Sequence, residues 1–167
     1  MPVFVDANCF KGYIDGVISA AANNCRTAVE TILSKTEIAL DDKKLFEQEW
    51  RDCTGGHGNI FVGDHIADLM EQGKIVIYEF SRDHQLRKKL SQIGVPGKDV
   101  RIVEFCAGAK VDIITSNDID LYEPSQKGCK SSLHLKFVHQ RRGSICRYVE
   151  KNLKIVICCC CLVPQFV

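Results

Sequence analysis

Val3-Phe4-Val5-Asp6-Ala7-Asn8 sets three apolar residues before an acid, and the residues that follow change period: Phe10, Ile14, Val17, Ile18 and Ala21 share one helical face. An apolar run of strand length feeding an amphipathic helix is the opening of a β–α unit, and it leaves Asp6 at the carboxyl end of the strand. Open α/β sheets bind their ligands beyond those carboxyl ends. Asp6 is therefore read as a site residue. Asn8 either caps the helix or supports a metal-bound water beside Asp6.

The same alternation continues along the chain. Asn23 and Asn24 end or kink the first helix, Val29, Ile32 and Leu33 resume an apolar stripe, and Glu37 to Leu40 reads as a second strand. Lys43 to Cys53 is predicted helical, with Phe46, Trp50 and Cys53 facing inward and Glu47 and Glu49 on other faces. Cys53 to Gly58, rich in glycine, reads as a flexible loop. Ile66, Leu69 and Met70 mark a helix, Ile75 to Tyr78 a strand, and Leu86, Leu90 and Ile93 another helix that Val95-Pro96-Gly97 ends. Asp99 is placed to open a helix over Val100 to Ala109, where a plain N-cap is the competing role. Val111 to Ile114 is a β-branched strand followed by a polar turn, Thr115 to Asp118. A helix from Ser144 to Asn152 and a strand from Leu153 to Cys161 complete the pattern. Strands alternating with helices predict an α/β fold: a three-layer α/β/α sandwich around a central, mostly parallel sheet, as a single domain over residues 1–167.

Composition sets the bounds. With 46% hydrophobic and 26% charged residues in 167, the chain can bury a substantial core. The net charge is only +1, but the stretch from Gln126 to Lys154 carries eight basic side chains and one acid, a local +7 that leaves −6 for the rest. Lys136, Arg141 and Arg142 in that stretch are candidates for nucleic-acid phosphate contacts. His134 and His139 are weaker candidates. Phe137 and Tyr148 could stack on bases, although core packing is the preferred role. Ten cysteines would suit a disulfide framework, yet the N-terminal residues do not read as a secretory leader, so a reduced, cytoplasmic chain is expected. No cysteine pair has zinc-finger spacing, and the run Cys158 to Cys161 alternates faces in a strand, so all four cannot converge on one ion. They read as small buried hydrophobes. The apolar stretch Ile155 to Val167 is shorter than the roughly 20 residues that cross a bilayer, so no membrane is expected.

The acids are the chemical signal. Carboxylates collected at one edge of a parallel sheet offer hard oxygen ligands suited to Mg²⁺ or Mn²⁺ beside a phosphodiester. The histidines match neither H-E-x-x-H nor a local triad signature. In order, V-F-V-D-A-N, the Glu before an aromatic in E-Q-E-W, K-D-V-R-I-V-E-F-C-A and I-T-S-N-D-I-D-L resemble the PIN-domain nucleases over Pro2 to Pro124. That resemblance implies a metal-dependent endoribonuclease using Mg or Mn. It implies as catalytic residues Asp6, Glu49, Asp99 and Asp118, with Asp6, Asp99 and Asp118 holding the metal and Asn8, Ser116, Asn117 and Asp120 supporting it. Glu47 competes with Glu49 for the second position, and Asp112 is a weaker competitor for the last. The partners implied are RNA ahead of DNA, an antitoxin or other inhibitory protein, and a second copy of the chain in a homodimer. The role would be that of a toxin, or of a nuclease in defence or RNA processing. Carboxylates so gathered repel one another, so at least one should have a raised pKa without metal. The competing class is a non-catalytic PIN-like module that only binds nucleic acid. A phosphotransfer receiver would need a Lys and phosphoacceptor arrangement that is not evident.

Overall fold

All three residues of the first strand, β1 (Val3–Val5), are buried, and since neighbouring side chains on a strand point to opposite faces, the sheet is covered on both sides. The computed structural model describes residues 1–55 and 59–167, and for residues 59 and 60 the backbone only. After β1 come α1 (Ala7–Ile18), α2 (Asn24–Lys35), β2 (Ile38–Asp41), α3 (Leu45–Cys53), α4 (Asn59–Glu71), β3 (Ile75–Tyr78), α5 (His84–Gln92), α6 (Gly97–Ala109) and β4 (Ile113–Thr115). A 3₁₀ turn (Ile119–Leu121), the short α7 (Ser131–His134), a π-helical turn (Leu135–His139), α8 (Ser144–Leu153) and β5 (Val156–Cys158) follow.

The five strands pair in parallel in the order β3-β2-β1-β4-β5. With helices on both faces this is the expected three-layer α/β/α arrangement. The chain runs outward through β1, β2 and β3, then returns to lay β4 on the other side of β1, in the register Val3 to Ile113 and Val5 to Thr115. The order of strands thus reverses between β1 and β4, which opens a crevice at their carboxyl ends.

One apolar cluster joins the layers. The ring of Phe4 on β1 meets Phe46 of α3 at 4.8 Å and Phe105 of α6 at 6.1 Å. Trp50 of α3 stacks on Phe10 of α1 at 3.8 Å and donates its indole N–H to the carbonyl of Val5 at 2.9 Å. That bond satisfies a buried main-chain acceptor and sets the rotation of α3 against β1.

Several local expectations are corrected. Asp6, not Asn8, caps α1, accepting from the Ala7 N–H at 2.7 Å. The second strand ends one residue later, at Asp41, whose carboxylate accepts from Leu45 N and Phe46 N at 3.0 Å each and so opens α3 at Leu45 rather than Lys43. Pro96 caps α6, and Asp99 lies buried within its first turn rather than at the cap. The last strand is shorter than Leu153 to Cys161. Lys154 turns left-handed to end α8, and the ladder stops at Cys158, after which Asn117 Oδ1 takes the Cys160 N–H into a 3₁₀ turn, Cys160–Leu162. The glycine-rich loop read from the sequence includes residues 56–58, with His57, which lie outside the described residues. Among the described residues no helix is long and apolar enough to cross a membrane.

Candidate functional site

Asp6, Glu49, Asp99 and Asp118 all line one cavity of about 530 Å³, formed with Ala7, Asn8, Lys11, Asp52, Cys53, Lys98 and Ile102. Each acid comes from a different element. Asp6 follows β1, Asp118 follows β4, Asp99 sits in the first turn of α6, and Glu49 is carried by α3 one residue before the buried Trp50. Glu47 lies elsewhere: it is paired with Arg51 at 2.7 Å and lines a different cavity with Asp41 and Asp42. Asp112 precedes β4, at the opposite end of the strand from Asp118.

The turn after β4 is stitched to β1. Ser116 Oγ donates to Asp6 Oδ2 at 2.5 Å and accepts the Asp118 N–H at 3.0 Å. Asn8 Nδ2 donates to the same Asp6 oxygen at 2.9 Å, and Asn8 Oδ1 accepts the Asn117 N–H at 3.2 Å. Asp118 Oδ1 accepts from Asp120 N at 3.0 Å, and Tyr122, which is buried, donates its hydroxyl to the Ser116 carbonyl at 2.7 Å. Asn8 and Ser116 therefore position Asp6, while Asn117 points away from the cavity, its amide donating to Cys25 Sγ at 3.3 Å and Cys160 Sγ at 3.5 Å. Asp120 is buried outside the cavity lining and accepts from Lys127 at 2.8 Å.

Burial is the first cause of the unusual acidity of these groups. It raises Asp6, against which the Ser116 and Ala7 hydrogen bonds and Lys98 work and to which the charge of Asp118 adds. It raises Glu49, tempered by Arg101 and reinforced by Asp6. Asp99 is pushed up to about 7, again by burial first, with Lys98 opposing and Asp118, Asp6 and Asp120 adding to the rise. The raised pKa expected of clustered acids is present, with desolvation ahead of mutual repulsion as its origin.

Three cations missed from the sequence stand among these acids. Lys98 pairs with Asp118 at 3.1 Å, Arg101 with Glu49 at 3.0 Å, and Lys11 lines the cavity while pairing with Asp15 at 2.6 Å. The signal was in G-K-D-V-R, where Lys98 and Arg101 flank Asp99 at the start of one helix. Of the basic residues chosen from the sequence, Lys136 and Arg142 are exposed. Arg141 is committed inside the protein: its Nε donates to the Ile157 carbonyl at 2.8 Å, it pairs with Glu150 at 2.5 Å, and its guanidinium lies over the Phe166 ring.

The residues fit a hard divalent ion. Asp99 Oδ2 is buried and has no hydrogen-bond partner, although it belongs to a cavity that four other acids share. A carboxylate oxygen so placed is costly unless a cation or a proton meets it. Five carboxylates line the cavity against two lysines, and all are oxygen donors suited to Mg²⁺ or Mn²⁺. The acids are not drawn into a tight knot: among the described residues, the only trios of ligand atoms mutually within 4.8 Å are two sulfur-containing groups elsewhere. Comparison of the chain with protein-family models, with curated proteins and with solved structures found no match in any of the three.

Proposed function

We propose that the protein is a metal-dependent endoribonuclease. The observation that carries this reading is the buried, unpartnered Asp99 Oδ2 in a cavity shared with Asp6, Glu49 and Asp118 at the crevice between β1 and β4. The four-motif likeness to PIN-domain nucleases supports it. Asp6, Asp99 and Asp118 would hold Mg²⁺ or Mn²⁺, which when bound would supply Lewis acidity toward water and phosphate. Glu49 faces the same cavity with Arg101 engaging Oε1, and it receives the proton of the attacking water. Lys98 and Lys11 meet the non-bridging phosphate oxygens. Water attacks phosphorus, the bond to the 3′ oxygen breaks, and that oxygen leaves protonated, giving a 5′-phosphate and a 3′-hydroxyl. RNA is the proposed partner ahead of DNA, and a toxin held by an antitoxin, or a processing or defence nuclease, are the roles in keeping with it.

A second reading has one specific observation in its favour. Lys98 and Arg101 already offset Asp118 and Glu49, as a module that binds nucleic acid without cutting it would require. Incubation of the purified chain with labelled RNA and Mn²⁺ separates the two. Cleavage is expected with Mn²⁺ or Mg²⁺, none with chelator, and a loss of at least about 10²-fold in Asp6→Asn and Asp118→Asn with circular dichroism unchanged. Binding without cleavage would favour the module. Cleavage undiminished in chelator or in both variants would remove the metal site.

A further inference from the structure

A second set of ligands gathers at the carboxyl end of β5. Cys159 and Cys161 flank Cys160 in the turn that leaves the strand, and their Sγ atoms lie 2.7 Å apart. His139 Nδ1 is 3.2 Å from Cys161 Sγ, and the three ligand atoms all fall within 4.8 Å of one another. Cys160 turns the opposite way, its Sγ 3.0 Å from that of Cys25. In the turn beyond the strand Cys159 and Cys161 come to one side and Cys160 to the other, so two of the four consecutive cysteines meet at one place.

His139 ends the π-helical turn Leu135–His139, a conformation that is rare and frequently found at functional sites. The ring of His134 has its centroid 5.9 Å from that of His139, and both line a cavity of about 330 Å³ together with Cys129. Thiolate sulfur with imidazole nitrogen is a donor set of Zn²⁺, which takes four ligands in a tetrahedron and commonly draws two from histidines spaced as His134 and His139 are.

We propose that Cys159, Cys161, His139 and His134 bind one Zn²⁺, with the His134 ring turning into the shared cavity to complete the tetrahedron. Binding releases the two thiol protons to solvent, so two thiolates balance the charge of the ion. The role is structural. The ion clamps the segment that bears Lys130 and Lys136 onto the end of β5. The other sulfur group, Cys9, Cys25 and Cys160, also gathers three ligand atoms but includes no histidine, and serves as the internal control.

The test uses the full chain, reduced and stripped with chelator, loaded with Zn²⁺, desalted and assayed by elemental mass spectrometry. Loading with Co²⁺ in parallel reports geometry through its visible bands. One metal per chain is expected, with tetrahedral cobalt bands and sulfur-to-metal charge transfer. Cys161→Ser and His139→Gln, both at partly exposed positions, should each weaken Zn²⁺ binding by more than about tenfold with circular dichroism unchanged, and His134→Gln likewise. Cys25→Ser should bind as the unaltered chain does. No retained metal in the reduced unaltered chain, unchanged affinity in Cys161→Ser and His139→Gln, or loss confined to Cys25→Ser would each overturn the assignment.

Discussion

Asp99 holds the least comfortable charge in the acid cavity. Its carboxyl titrates at about 7 in the folded protein, raised from 3.8 chiefly by burial. The folded state therefore keeps a proton that the unfolded chain gives up, and stability is full at acid pH and falls as pH climbs from about 4 to about 7. Asp99→Asn, which carries no charge, should be more stable than the unaltered chain at pH 8 by on the order of a few kcal/mol, with the difference vanishing near pH 4. Denaturant midpoints at the two pH values check this, and equal differences at both would mean that the carboxylate is not desolvated. Mn²⁺ should narrow the gap at pH 8 by stabilising only the chain that has the acid. The neighbouring helix supplies a sharper contrast. Glu49→Gln is expected to lower kcat on the order of 10²-fold, whereas Glu47→Gln should leave it nearly unchanged and lose no more than about 1 kcal/mol with the Arg51 pair. Equal effects would break the assignment. Glu49 was legible because Trp50 beside it fixes which way the helix turns. The burial that raises Asp99 was not, because a local pattern at a helix start does not say what closes over it.

At the scale of elements, the close approaches are set by residues without side chains. A Cβ on Gly143, at the N-terminus of α8, would stand 2.1 Å from the Tyr122 carbonyl oxygen, which already accepts the Ile145 N–H at 2.9 Å. Gly143→Ala should therefore cost about 1–3 kcal/mol by forcing α8 away from the turn that carries Asp118 and Tyr122, a change that thermal unfolding would register. An unchanged melting temperature would show that the contact relaxes freely. Nothing adjacent to Gly143 in sequence announces Tyr122. The strands and longer helices were readable from their periods, but their ends were set by individual side-chain bonds: Asp41, just before it in sequence, begins α3, and Asn117, far along the chain, ends β5. The π-helical turn, with its histidine, lies in a stretch of polar and apolar residues that fits no single period.

The whole molecule divides its labour across the reversal of strand order. The fold class followed from the alternation of strand and helix, and with it the places of Asp6 and Asp118 beyond their strands, whereas Asp99 lies in the first turn of α6 and Glu49 inside α3. The cationic complement was misjudged in part, since net charge along the chain does not distinguish Arg141, spent on Ile157 and Glu150, from Lys136 and Arg142, which are exposed. Lys98 and Arg101 escaped notice for the opposite reason: they lie in no basic run, and only the approach of α6 to β1 and α3 brings them among the acids.

The bond from Ser116 to Asp6 joins residues 110 positions apart, and it bears on how the chain is made. β1 leaves the ribosome well before its neighbour β4 and the turn that holds Asp6 in place. At about 5–20 residues per second that interval is roughly 5–20 s of translation. During it Asp6 has neither Ser116 nor Asp118 beside it. For a protein that cuts RNA, as proposed, such an arrangement keeps the nascent polypeptide inert next to its own message and the ribosomal RNA until most of the fold has been delivered.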